Sequence, residues 1–253
     1  MSEVSEVDAC CANCSAVQSK SGKTNCSTGG GPLSPPRPRS CPTENEPDAI
    51  GTAVQELRGD SQDARTARVA AQVEGLGYER GDGKAQARWS RVEDTVAFAH
   101  LMGYRKIGIA TCVGLLDETH RLVEILEAQG LETLSVCCKA GSVDKAEVGI
   151  AEASKIRPGQ FEAACNPIAQ ARICNAAGTH LNLIVGLCVG HDTLFNKHSE
   201  APVSTLVVKD RVTGHNPAAV LYGRHYYRRL RSPLSLPEPG AAEAAASAAR
   251  RGD

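Results

Sequence analysis

Four short segments constrain this chain more than anything else in it. Residues 106–111, 131–136, 181–187 and 203–208 read as strands, and the apolar runs in them lack the polar alternation of a strand with one wet face. Helical patterns lie between them. Asp117 to Gln129 places Leu122, Ile125 and Leu126 on one face and is closed by Gly130. Asn166-Pro167 supplies an N-cap and a proline at the first helical position, for a helix running to about Ala177 with Gly178 as its stop. Upstream, Asp60 to Leu76 is helical, Gly77 to Ala87 is a loop, and Ser90 with Glu93 forms a capping box for a helix ending at Gly103. A short helix spans Ala218 to Tyr222. Alternating strands and helices give an α/β fold, a small doubly wound, mainly parallel sheet with helices on both faces. The expected strand order is second, first, third, fourth, with a switch point between the first and third strands.

The two ends differ in kind. Residues 1–47 are rich in Cys, Ser, Pro and Gly, and form a Cys-rich irregular segment, metal-binding or flexible. Residues 232–253 are punctuated by proline and then Ala-rich, and read as a disordered tail whose final Arg-Gly-Asp is a chance occurrence. The remainder, 48–231, is a single α/β domain. With 28 Lys plus Arg against 29 Asp plus Glu, the net charge of −1 excludes a globally basic nucleic-acid binder. The basic stretch Arg224–Arg231, interleaved with Tyr226 and Tyr227, is short and reads as a solvated helix end, so nucleic acid is not an expected partner. No apolar run approaches the ~20 residues of a membrane span. The N-terminus is acidic without an apolar stretch, so the chain is expected to be soluble and cytoplasmic. No G-x-G-x-x-G follows the first strand, and neither a P-loop nor a G-x-S-x-G elbow is present.

Eleven cysteines stand beside only three Phe and one Trp. An odd number cannot pair completely, and a reducing cytosol disfavours bridges. Ile107 to Gly114 and Leu183 to Gly190 echo each other, each an apolar strand followed by Cys-Val-Gly. Cys112, Cys137 or Cys138, and Cys188 thus fall at carboxyl ends of parallel strands, the edge where open α/β sheets bind ligands. Cys165 precedes the Asn166-Pro167 helix start, and His191 lies beside Cys188 as a ligand or a general acid–base group. Converging there, these thiols would suit zinc or an iron–sulfur cluster. The alternative is core packing, the reading preferred for mid-helix Cys174. In the N-terminal segment Cys11-Ala12-Asn13-Cys14, Cys26 and Cys41 make four potential metal ligands, or else scattered thiols. Lys209 and Arg211, after the fourth strand, would orient a small anionic molecule. Three functions follow: a cysteine-ligated redox or sulfur-transfer enzyme, a non-enzymatic metal or redox sensor, or an α/β enzyme with Cys188 as nucleophile.

Several strings carry a family resemblance. Cys165-Asn166-Pro167-Ile168-Ala169-Gln170, Gly186-Leu187-Cys188-Val189-Gly190-His191-Asp192, Leu194-Phe195, Lys209-Asp210-Arg211 and His215-Asn216-Pro217 are the main ones, supported by Val136-Cys137-Cys138-Lys139 and Arg91-Val92-Glu93. Together they resemble a bacterial and archaeal family of uncharacterised proteins described as predicted metal-binding, the domain of unknown function 1847. The resemblance covers about Asp60 to Leu230 and the N-terminal cysteines. It implies metal binding and no specific reaction. The chain departs from the pattern at 15–50, where the cysteine spacing is expanded, and at Thr111, where a bulkier apolar residue is expected.

Overall fold

A computed structural model describes residues 9–14, 26, 37–81 and 84–236. The Gly/Pro-rich stretches of the N-terminal segment and residues 237–253 of the expected tail lie outside them. The chain divides into two compact units, 1–72 and 73–253, and the division falls inside a helix.

In the first unit a single 3-10 turn covers Cys11–Asn13. Helices α1 (Pro42–Asn45) and α2 (Pro47–Arg58) each open with a proline, whose missing N–H removes no intrahelical bond at that position. Helix α3 (Gln62–Leu76) crosses the division and buries Ala64, Val69 and Val73.

The second unit opens with an antiparallel hairpin, β1 (Tyr78–Gly81) and β2 (Lys84–Ala87), in the stretch expected to be a loop. Helix α4 (Arg91–Met102) starts with the expected capping box, in which Ser90 N donates to Glu93 Oε2 at 2.7 Å, and stops at Gly103 with φ 73°. The main sheet contains β3 (Lys106–Thr111), β4 (Glu132–Cys137), β5 (Leu181–Val185) and β6 (Val203–Val207), all parallel, in the order β4-β3-β5-β6. This is the expected order, with its switch point between β3 and β5. Helices α5 (Leu116–Ala128), α6 (Pro167–Ala176) and α7 (His191–His198) form the crossovers. Right-handed connections place α5 on one face and the mutually packed α6 and α7 on the other. Two short helices, α8 (Ala218–Tyr222) and α9 (Arg224–Leu230), end the described chain.

Burial explains the sequence pattern. Central β3 and β5 are buried almost throughout, whereas edge strands β4 and β6 carry Thr133, Ser135, Ser204 and Thr205. Thr111, at the end of β3, is buried but not orphaned, because Thr119 Oγ1 donates to its hydroxyl at 2.7 Å. Gly108 faces α6, where a Cβ would collide with the Asn182 side chain and stand 2.9 Å from Cys174 Sγ. Pairing of β5 with β6 slips after Ile184, which leaves Leu206 as a bulge just before the strand's end.

Gly186 follows β5 with φ 72°, and a Cβ there would run into Leu115 Cδ1. Gly186→Ala is therefore expected to lose at least ~2 kcal/mol through overpacking and backbone strain. Urea unfolding of the two proteins checks this, and equal midpoints would refute it.

Candidate functional site

The carboxyl edge of the sheet gathers side chains from five segments. After β3, Cys112 N donates to Val185 O at 3.1 Å and its carbonyl receives Leu115 N at 2.9 Å, so the chain turns over the edge at once. Cys138 extends the ladder by one step, donating its N–H to Thr111 O at 2.8 Å. Adjacent strand residues face opposite sides, so only one of Cys137 and Cys138 serves this mouth, and it is Cys138. Its Sγ accepts from Val113 N at 3.4 Å and lies 3.8 Å from Cys165 Sγ. Cys137 Sγ instead takes the local Lys139 N–H at 3.5 Å. Asn166 N donates to Cys138 O at 2.8 Å, tying the two cysteine backbones together, while Asn166 Oδ1 caps α6 through Ala169 N at 2.9 Å.

Charge polarises this sulfur pair. The Cys165 thiol is held well below its ordinary value, first by its hydrogen bond with Cys138, then by Lys139 and His191, against the opposing effect of burial. Cys138 moves up, through the same shared proton and through burial. The cations lie beside Cys165, which favours negative charge on that sulfur of the pair. Arg211 Nη2 donates to Cys188 Sγ at 3.1 Å, and Cys112 and Cys165 also lie within its electrostatic reach. A tight turn presents that arginine: Asp210 Oδ1 receives Val212 N at 2.9 Å and Thr213 N at 3.0 Å, and His215 Nδ1 receives Asp210 N at 3.1 Å. Lys209 lies across two glycines, its Cδ 3.5 Å from where a Gly186 Cβ would be and its Nζ 3.5 Å from that of Gly114. His191 is the first residue of α7, its N–H bonded to Cys188 O at 2.9 Å.

Beneath the thiols, buried Gln170 joins the ends of β3 and β4, donating Nε2 to Thr111 O at 3.1 Å and to Val136 O at 2.7 Å. Its Oε1 is buried without a hydrogen-bond partner. Cys174 is core, as expected, and burial pushes its thiol up to about 11.

Cys138 and Cys165 also bound the connection 139–164 between β4 and α6. Ion pairs organise that connection. Lys155 is buried between Asp144 at 2.8 Å and Glu152 at 2.6 Å, and Lys145 pairs with Glu162. Lys155, with the N–H groups of Ala146 and Glu162, holds the Asp144 carboxyl down at about 2.

The structure thus brings Cys112, Cys138, Cys165 and Cys188 to one edge with His191, Lys209 and Arg211. Lys139 and Gln170 join them; both stand in the family-resemblance strings, where neither is given a role at the site. Lys139 had a signal, being next to a strand-end cysteine pair, and Gln170 had one too, as a polar residue on the α6 face that carries Ala171 and Cys174. In the first unit, Cys10 N donates to Ser40 O at 2.8 Å, Cys26 Sγ lies 3.4 Å from Thr43 Oγ1, and Cys41 is buried as the N-cap of α1. Cys11 is exposed and Cys14 half-buried. Among the described residues, no group of three or more His, Cys, Asp or Glu stands together as a metal site, at either the sheet edge or the N-terminal cysteines.

Comparison with known proteins adds a family. The family model described as Protein of unknown function (DUF1847) matches residues 41–206. The uncharacterized protein MJ0455 of Methanocaldococcus jannaschii is 44% identical over 169 residues, which are 67% of this chain and 81% of that protein. No solved structure matches. The matched segment holds all four strand-edge cysteines, Lys139 and His191, while Lys209 and Arg211 lie just past it.

Two measurements check this electrostatic layout. Alkylation of Cys165 by iodoacetamide, followed by peptide mass spectrometry, is expected to inflect below the ~8.5 of a free thiol. Cys138→Ala should move that inflection up, and Cys174 should stay unlabelled until the protein unfolds. In the 139–164 connection, Asp144 has a depressed carboxyl, so its contribution is full above the unfolded value of ~3.9 and is lost as pH falls through about 2. Pepsin cleavage within 139–164 should therefore rise between those limits in the native protein, and Asp144→Asn should cleave readily at both.

Proposed function

The chain belongs to the DUF1847 family, and we propose that it is a thiol-based redox or sulfur-handling enzyme in which Cys165 attacks and Cys138 resolves. The observation that carries this reading is the pair of sulfurs 3.8 Å apart with Lys139 and His191 beside one of them. A thiolate is the nucleophile in such chemistry, and it works best when its pKa lies near ambient pH. Cys138 is placed to supply the proton that a departing group needs and then to attack Cys165. The backbone bond from Asn166 to Cys138 keeps the two residues in register while this happens. Cys188, engaged by Arg211, takes the part of an outer thiol rather than of the first nucleophile. No helix of the described residues is long and apolar enough to cross a membrane. A cytoplasmic location, whose reducing conditions keep these thiols free, belongs to the same proposal.

A second reading is metal binding, and one distance favours it. Two thiolates on a tetrahedral zinc with Zn–S of ~2.3 Å stand about 3.8 Å apart, which is the Cys138–Cys165 separation of 3.8 Å. Cys112 and Cys188 would complete the set, for zinc or for an iron–sulfur cluster, but three ligands are not gathered here and both residues would have to close on the pair. A bound centre would supply Lewis acidity or electron transfer. The cysteines Cys11, Cys14, Cys26 and Cys41 would be its counterpart in the first unit.

One preparation separates the readings. Protein purified without oxygen is analysed for zinc, iron and acid-labile sulfide, then treated with limiting bis(2-hydroxyethyl) disulfide and mapped by peptide mass spectrometry. The expected result is free, metal-poor thiols and Cys138–Cys165 as the first disulfide formed, with the fast phase at least ~100-fold slower in Cys165→Ser. Stoichiometric metal that shields the four strand-edge cysteines would replace the thiol reading with the metal one.

A further inference from the structure

We infer that the co-substrate of the Cys138–Cys165 pair is an anionic low-molecular-weight disulfide, received by Lys209, Arg211 and Lys139. The inference rests on the thiol reading above and adds the class of molecule it acts on. Three fixed cations border the crevice, and among the described residues none of them forms an ion pair with a carboxylate. The lysines of the neighbouring connection behave differently, since Lys145 and Lys155 are both neutralised by acids. The carboxylates closest in sequence are turned to other work. Asp210 receives the N–H groups of Val212 and Thr213, and Asp192 those of Gly190 and Thr193. Asp192 and Asp210 keep their negative charge, but their bonded oxygens face backbone N–H groups, which leaves the three cations without a carboxylate contact.

The placement of the cations is built in. The Lys209 side chain runs past Gly186 and Gly114 at ordinary contact distance, and Leu115 forces the first of these to be glycine. Arg211 is carried by a turn that Asp210 and His215 close, and it reaches Cys188. Lys139 adjoins Cys138, and its Nζ donates to Ala163 O, two residues before Cys165. A disulfide bearing carboxylates or phosphates can therefore place its charged arms on the rim and a sulfur against Cys165, with the guanidinium of Arg211 suited to bidentate contact.

The reaction balances within these groups. The Cys165 thiolate attacks one sulfur of R–S–S–R, the S–S bond breaks, and its electron pair leaves on R–S⁻. The Cys138 proton passes to that leaving thiolate. The Cys138 sulfur then attacks Cys165 Sγ and expels the second R–S⁻. Two cysteines are oxidised to one disulfide while R–S–S–R is reduced to one thiol and one thiolate.

The test compares three disulfides of different charge on the full chain: 5,5′-dithiobis(2-nitrobenzoate), a dianion; bis(2-hydroxyethyl) disulfide, neutral; and cystamine, a dication. Each second-order rate constant is divided by that of free 2-mercaptoethanol thiolate with the same disulfide. The corrected dianion-to-dication ratio should exceed one by ~100-fold at low salt and shrink as ionic strength rises. Lys209→Gln and Arg211→Gln should each lower the corrected dianion-to-neutral ratio several-fold, and Lys209→Arg should restore it, which also controls for folding. Corrected ratios near one, or ratios that both charge-removing variants leave alone, would overturn the anion site while the thiol reaction stands. Slow reaction with all three disulfides would overturn both readings together.

Discussion

Pairing of β3 with β4 on one side and β5 on the other decides where every candidate functional group falls. Lying between them, β3 has no exposed edge, and its own carboxyl end must turn away over the sheet. The neighbouring strands stop level with it, as shown by Thr111 opposite both Cys137 and Val185. Residues that follow each strand are therefore delivered to one crevice from sequence positions far apart. Gln170 reinforces this arrangement from below by bonding to the last carbonyls of β3 and β4. An unpaired buried amide oxygen is costly, and Gln170 Oε1 is one, on the residue that ties the two strand ends together.

How much of this was legible depends on the range of the interaction concerned. Strands β3 and β5 were plain because burial on both faces writes itself as an unbroken apolar run. Caps and stops were plain because Ser90, Asn166, Gly103 and Gly178 act within a few residues of themselves. The hairpin at 78–87 was not, since Tyr78–Gly81 and Lys84–Ala87 form a mostly polar ribbon whose pairing needs no apolar alternation. Helix α2 also escaped, although Ile50, Val54 and Leu57 have helical spacing, because it begins at the very edge of a Pro-rich region. At the site, strand-end cysteines were visible one by one. Which of Cys137 and Cys138 faces the mouth depended on the register of β4, and the meeting of Cys138 with Cys165 depended on the path of an intervening connection that no local pattern describes.

Charge is handled in two ways within a short distance along the chain. In the 139–164 connection, lysines and acids are matched, with Lys155 buried between two carboxylates. Around the thiols, cations face sulfur instead. Matched pairs fix a shape, whereas cations without a carboxylate would, on the thiol reading, stabilise negative charge that develops during a reaction. The same residue types thus serve as scaffold in one segment and as an electrostatic environment in the next.

The position of Cys138 and Cys165 at the two ends of that ion-paired connection has a mechanical consequence. The neck is closed by the backbone bond from Asn166 to Cys138, by Lys139 Nζ on Ala163 O, by the short bridge between Asp144 and Ala163, and by the contact of two sulfurs. A covalent bond at the same place would convert the connection from a hydrogen-bonded loop into a covalent ring. Its freedom when unfolded would then shrink, since a ring explores far fewer shapes than a chain. The redox state of two atoms would in this way be written into the stiffness of a whole segment, and a partner touching only the outside of that segment would feel it.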